Sequence, residues 1–203
     1  MKNLYWLSIA FGLVVSGFFL ADRRFTEVGL IGALICAGLT LGLGFWWFRP
    51  RPVWQGILWG ALAQPVVVNL NDQMVGISDK LWLTYLDAAF YSPLPEETIK
   101  LLGVVIIVAA FKNVRHPYQA AAIGMAVGLG FDAMENVPFI LNAAIDDLDG
   151  DLWGVLITGT GRIFTGAFSH ALYTGVAAWG VGKLYAGARH GYWQVAGFWL
   201  AAI

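Results

Sequence analysis

Apolar runs long enough to cross a bilayer recur along this 203-residue chain, at about 4–21, 28–48, 53–70, 94–111, 118–145 and 162–185. About 20 predominantly apolar residues span the hydrocarbon core as a helix. Inside that core every backbone N–H and C=O must find a partner within the protein, so repeated runs of this length fold as helices. The spacing predicts an all-α, polytopic transmembrane helix bundle of about 6–7 spans. The stretch 81–91, which carries Asp87, is too brief to span unaided and reads as a short interfacial or re-entrant segment. The run 192–203 is also too short for a full span. With 12% of its residues charged, against about 25% in soluble domains, the chain has no room for a large extramembrane catalytic domain, an ATP-binding module or a nucleic-acid platform. Residues 1–203 are expected to form a single integral membrane domain embedded in the lipid bilayer.

Cysteine chemistry is limited in the same way. Cys36 is the only cysteine and lies in an apolar run, which excludes an intramolecular disulfide and a cysteine-based metal cluster. Lys2 followed by the run 4–21 has the outline of a signal peptide, but Phe19, two residues before Ala21, breaks the small-x-small cleavage pattern. The run is expected to be a retained first helix.

Charge placement predicts an orientation. With the N-terminus cytoplasmic and 81–91 not crossing, the inside loops hold Lys2, Arg49, Arg51, Lys112, Arg115, Lys183 and Arg189. The outside loops hold Arg23, Arg24 and Lys80 beside many acids. Lys/Arg bias in short loops sets topology, whereas acids contribute little. Three G-x-x-x-G pairs, Gly38/Gly42, Gly56/Gly60 and Gly124/Gly128, are expected to let helices approach closely within the bundle.

Subtracting the loop charges leaves Asp87, Glu96, Glu97, Lys100, Asp132, Glu135 and Arg162 in or at the edge of apolar runs. An ionised group at a membrane-helix centre costs about 2.5–3.5 kcal/mol even on the lenient insertion scale, and such residues mark function by default. In Ser92-Pro93-Leu94-Pro95-Glu96-Glu97-Thr98-Ile99-Lys100, Ser92 can cap a helix whose first turn holds the prolines. With Glu96 as zero, Glu97 lies at roughly 100° and Lys100 at roughly 40° around that helix, so the ammonium projects between two carboxylates. In Phe131-Asp132-Ala133-Met134-Glu135-Asn136-Val137-Pro138, Phe131 and Glu135 share a face, and Pro138 strips the Met134 carbonyl of its helical partner. A third element, Phe168-Ser169-His170-Ala171-Leu172-Tyr173-Thr174, sets His170 on an apolar helix with Gly166 and Thr174 on its face. His116 and His190 fall in loops and read as surface residues. Arg162 is expected to anchor its helix at the outer interface or to serve as a counter-ion. In the predicted orientation the three clusters lie at similar depth in the outer part of the bilayer, with His170 about two turns inside its helix end.

Glu96-Glu97-x-x-Lys100, Phe131-x-x-x-Glu135-Asn136 and Ser169-His170 resemble, in order and spacing, the three motifs of the PrsW family of intramembrane proteases. The resemblance covers roughly 90–185, the expected catalytic core. The wider group of CAAX prenyl proteases and bacteriocin-processing enzymes carries Arg where this chain has Lys100, His where it has Glu135, and Asn where it has Thr174. The resemblance implies cleavage of a single-pass, membrane-anchored protein near the outer face, as in site-1 processing of anti-sigma factors.

Read as a hydrolase, the chain has Glu96 or Glu97 as general base, with Glu135 and His170 orienting the water and passing its proton to the leaving amine. Lys100 supports the acids, and Asn136 or the backbone freed by Pro138 is the candidate for stabilising the oxyanion. Glu97, Glu135 and His170 also suit zinc with an open position for water, so the glutamate-type and metal-dependent readings both stand at this point. Two rivals use the same residues: a proton-coupled transporter relaying protons through the acids, and a non-catalytic membrane scaffold. Residues 71–91 are the candidate lid by position.

Overall fold

A computed structural model describes residues 1–21, 26–47, 53–86, 93–111, 116–148, 150–166, 169–188 and 190–202. Among them are eight α-helices and no strand: α1 (Lys2–Ala21), α2 (Glu27–Trp47), α3 (Val53–Lys80), α4 (Pro93–Phe111), α5 (Pro117–Asp146), α6 (Asp151–Gly161), α7 (Ser169–Tyr185) and α8 (Gly191–Ala202). The all-α expectation holds. Among the described residues, α1 alone is both long and apolar enough to cross a membrane, with a mean hydropathy of 2.0; a shorter apolar stretch runs over Glu27–Leu43. On α1 the buried residues Tyr5, Ile9, Gly12, Ser16 and Phe19 form one stripe at helical spacing. Leu7, Phe11, Leu13, Val14 and Phe18 on the rest of its surface stay exposed, an apolar coat of a size that marks a membrane or protein contact rather than a soluble surface.

The centre of the bundle is α5, which touches α2, α3, α4, α6 and α7. Residues 126–133 are buried one after another, so the helix is enclosed all round. Small residues make that enclosure possible. A side-chain carbon on Gly60 of α3 would meet the Val127 carbonyl and come within 2.7 Å of the Phe131 nitrogen, and one on Gly128 would come within 2.6 Å of the α7 backbone at Ala171. Two of the three glycine pairs therefore seat α3 and α7 on α5, as expected. Gly38 and Gly42 meet nothing within 4 Å.

Partner residues fix the helix directions. Asn71 bonds Glu96 and Trp59 bonds Ile99, so α3 and α4 run antiparallel. Gly56 lies against Ile123 and Gly60 against Val127, so α3 and α5 run parallel. The segment between α3 and α4 thus begins and ends on one side of the bundle. Its described part, which includes a 3₁₀ turn at Thr84–Leu86, folds back on α3 through Leu83 N–H donating to the Ser78 carbonyl at 2.9 Å. Asp87, the Ser92 cap, Phe168 and the Arg49–Pro52 loop lie outside the described residues, as do Arg23, Arg24, Lys112, Arg115 and Arg189.

One sequence expectation needs correcting. Arg162 does not begin its helix at an interface, because α6 precedes it and a π-helical turn, Arg162–Gly166, joins that helix to the approach to α7. The acids Asp146, Asp147, Asp149 and Asp151 suggested a loop throughout this region. Yet Leu152-Trp153-Gly154-Val155 opens an apolar helix that packs on α2 and α5, with Gly154 against the Ala143 carbonyl. His170 is the second residue of α7 rather than two turns inside its helix, and its backbone lies against Gly128 of α5. Glu135, eleven residues before the end of α5 at Asp146, is about 16 Å along the axis from that end at 1.5 Å per residue.

Candidate active site

Six of the seven stray charges, all but the undescribed Asp87, gather with His170 in one network. Lys100 is its innermost member and is fully buried. Its Nζ donates to Glu97 Oε1 at 2.5 Å and to His170 Nδ1 at 2.8 Å. It also lies 3.9 Å from Glu96 Oε2 and 4.2 Å above the Phe131 ring. The ammonium projects between the paired acids, as their spacing on α4 predicted, and it leans toward Glu97. Pro93 and Pro95 occupy the first turn of α4, also as predicted.

Because an ammonium only donates, Nδ1 of His170 accepts, and the neutral ring carries its proton on Nε2. That N–H faces Glu135 Oε2 at 3.3 Å. His170 thus links α4 to α5: Lys100 and Glu97 meet one edge of the ring and Glu135 the other. Phe131, 5.4 Å from the imidazole by ring centroids, packs beside it. The close seating of α7 on Gly128 brings the His170 backbone to α5.

Arg162 forms the second cationic centre. Its Nη2 donates to Glu135 Oε2, its Nε donates to Asn136 Oδ1 at 2.5 Å, and its guanidinium lies 4.3 Å over the Phe139 ring. Asp132 is 3.8 Å from Nη2. Of the two roles expected for Arg162, the counter-ion matches this geometry. Asn136 is fully buried, and its Nδ2 reaches Thr40 Oγ1 at 3.5 Å. Both polar ends of that amide are committed inside the protein. Nor does Pro138 supply an oxyanion donor: the group it frees is the Met134 carbonyl, which can only accept.

Glu96 and Glu135 line a common cavity of about 330 Å³ with Gln64, Asn71, Phe131 and Phe139. Asn71 Nδ2 donates to Glu96 Oε1 at 3.4 Å. Gln64 and Asn71 were missed by sequence reasoning, as was Thr40. The available signal was weak: each is an uncharged polar residue in or just beyond an apolar run, and such residues are common in membrane helices. Thr174, on the His170 face, is buried with an unpartnered hydroxyl.

Apolar helices around a half-buried cluster of acids, cations and imidazole beside a cavity form the kind of site that an intramembrane hydrolase needs. The chain belongs to the PrsW family: the model described as PrsW family intramembrane metalloprotease matches residues 49–203, more than half of its length. The protein is therefore an integral membrane protein and an intramembrane protease. No curated protein and no solved structure matches the chain.

The family description implies a metal, and two donor sets come into question: Glu96, Glu97 and His170, or Asp132, Glu135 and His170, each with ligand atoms within 4.8 Å of one another. The expected set of Glu97, Glu135 and His170 is divided by the imidazole, since its two acids approach opposite ring edges. In the first set the Lys100 ammonium sits among the donors and is fully buried, whereas the cation on the second set, Arg162 beside Glu135, is partly exposed. The second set fits better. Asp132 is 1% exposed and, among the described residues, neither of its oxygens has a hydrogen-bond donor, so two buried lone-pair groups suit a cation. Two carboxylates and an imidazole are donors that zinc takes.

Proposed function

We propose that the protein is an endopeptidase that cleaves single-pass, membrane-anchored proteins near the outer face, using a water activated by carboxylate and imidazole. The single observation that carries this reading is the shared cavity. Glu96 and Glu135 flank it, and His170 links Glu135 to the Lys100–Glu97 pair behind it. Of the adjacent acids, Glu97 is tied to Lys100, whereas Glu96 faces the cavity and is the base. Glu96 takes a proton from the water as the hydroxyl oxygen bonds to the scissile carbonyl carbon. When the tetrahedral intermediate collapses and the C–N bond breaks, the same carboxyl returns that proton to the amine. His170 donates from Nε2 to Glu135 and orients that carboxylate at the opposite wall. Gln64 and Asn142 are the cavity carboxamides able to donate to the oxyanion. Asp132, Glu135 and His170 are the residues that would hold a metal, and zinc bound there supplies Lewis-acid polarisation of the scissile carbonyl.

In this reading the bundle is multi-pass with its N-terminus cytoplasmic. The helix directions support it: α1 and α5 run with α3 and α4 runs against them, so the starts of α1, α3 and α5 and the end of α4, the helix ends next to the Lys/Arg-rich segments of the sequence, share one side. The test is reconstitution with a panel of single-pass membrane proteins, comparing wild type with Glu96→Gln, Glu135→Gln and His170→Ala. Each variant is expected to stay folded and to lose cleavage by at least about a hundredfold, the scale of general acid–base catalysis. Normal processing by all three would sink the proposal.

A further inference from the structure

We propose that Arg162 and a divalent cation compete for one site, formed by Asp132 and Glu135 of α5 and His170 of α7, so that each excludes the other. The first ground is Asp132. Among the described residues its buried carboxylate has no hydrogen-bond donor, and the cation paired with it, Arg162 Nη2, stands 3.8 Å away, beyond hydrogen-bond reach. A buried polar group left in this state is costly, and a charged one more so. The i,i+3 spacing of Asp132 and Glu135 sets both on one face of α5, where His170 completes a three-donor group within 4.8 Å.

The second ground is the way Arg162 is held. Its side chain is 23% exposed and rises from the π-helical turn, a feature often found at functional sites. Two of its contacts, Nε to Asn136 and the guanidinium face to Phe139, lie apart from the acids. Both partners are uncharged, and the partial exposure of the side chain gives the guanidinium a way out when Nη2 leaves Glu135. An arginine does not lose its proton, so its charge opposes a dication on the same two carboxylates. Binding the ion also releases the proton on His170 Nε2, because a ligating imidazole nitrogen must be free of it. The Lys100 set offers no such exchange, since that ammonium is fully buried and has no exposed route away.

The test uses the full chain in detergent, stripped with a chelator and titrated with zinc chloride by calorimetry, with bound zinc counted by elemental mass spectrometry. Wild type is expected to take up one zinc per chain. Asp132→Asn should weaken binding by about tenfold or more, and Arg162→Gln should tighten it by a similar factor, the scale seen when groups around a metal are altered. Glu97→Gln should bind as wild type does. Zinc should also raise the reactivity of Arg162 toward phenylglyoxal, read by peptide mass spectrometry, an effect that a purely structural arginine would not give. If Asp132→Asn fails to fold, Asp132→Glu and the Arg162 labelling decide. No zinc uptake by wild type, unchanged affinity in Asp132→Asn, or weaker binding in Arg162→Gln would each overturn the proposal. These readouts need no substrate, so their failure leaves the protease reading to its own assay.

Discussion

Two cations organise this site, and they are built for different work. Lys100 is fully buried on α4, within 2.8 Å of both Glu97 and His170, and capped by the Phe131 ring. Arg162 is partly exposed, comes from a π-helical turn, and reaches across to α5. Lys100 meets an acid one turn away on its own helix, so helix geometry alone brings the pair together. Arg162 meets acids of α5, which it can reach only when α6 and its π-helical turn are packed on that helix. The comparison teaches that a buried charge network can hold one fixed cation and one exchangeable one. His170 is the hinge between them, accepting from Lys100 and donating to Glu135.

Removing Lys100 is the most severe way to break the comparison. Lys100→Met leaves the Glu97 carboxylate buried without its partner, and loss of one member of a buried pair costs about 3–5 kcal/mol. Thermal unfolding should show a large destabilisation, partly restored in the Glu97→Gln/Lys100→Met double variant. Arg162→Met leaves Glu135 its contact with His170 and takes no hydrogen bond from Asp132, which has none from Arg162, so it should cost less. Equal losses from the two substitutions would show that the two cations are not different in kind.

A smaller effect separates the glycine pairs. Gly128→Ala drives a methyl group into the α7 backbone beside His170, and overpacking of this kind costs typically about 1–3 kcal/mol. It should also reduce cleavage, because His170 moves with its helix. Gly38→Ala meets open space and should change stability by no more than about 0.5 kcal/mol. Matching unfolding temperatures for the two variants would mean that the close seating of α7 does not position the imidazole.

Much of this was legible in the sequence, and the limits have physical causes. The α4 cluster could be read because its partners are three and four residues apart, a spacing that fixes their geometry. The family could be read because three motifs keep their order. Arg162 was harder: its partners Glu135 and Asn136 are far away in sequence, and acids around residue 150 disguised α6 as loop. Asn71 and Gln64 carry no charge, so nothing set them apart from other polar residues of membrane helices. Asn136 was legible as a residue of interest, but its role was not, since its bonds to Thr40 and Arg162 exist only once α2 and the π-helical turn are in place.

The finest test of the comparison concerns Glu96, the cavity acid that neither cation holds closely. Its strongest tie is Asn71 Nδ2 at 3.4 Å, with Lys100 at 3.9 Å. Asn71→Ala removes that tie and should cost about 0.5–1.5 kcal/mol at most, the net worth of one hydrogen bond. If Asn71 aims Glu96 into the cavity, the variant should cleave several-fold more slowly while unfolding at nearly the wild-type temperature. Asn71→Asp should slow cleavage further, because a second carboxylate then faces Glu96 in place of a donor. Equal rates in the alanine and aspartate variants would mean that Glu96 is positioned from the Lys100 side alone, and the fixed half of the site would then extend to the cavity wall.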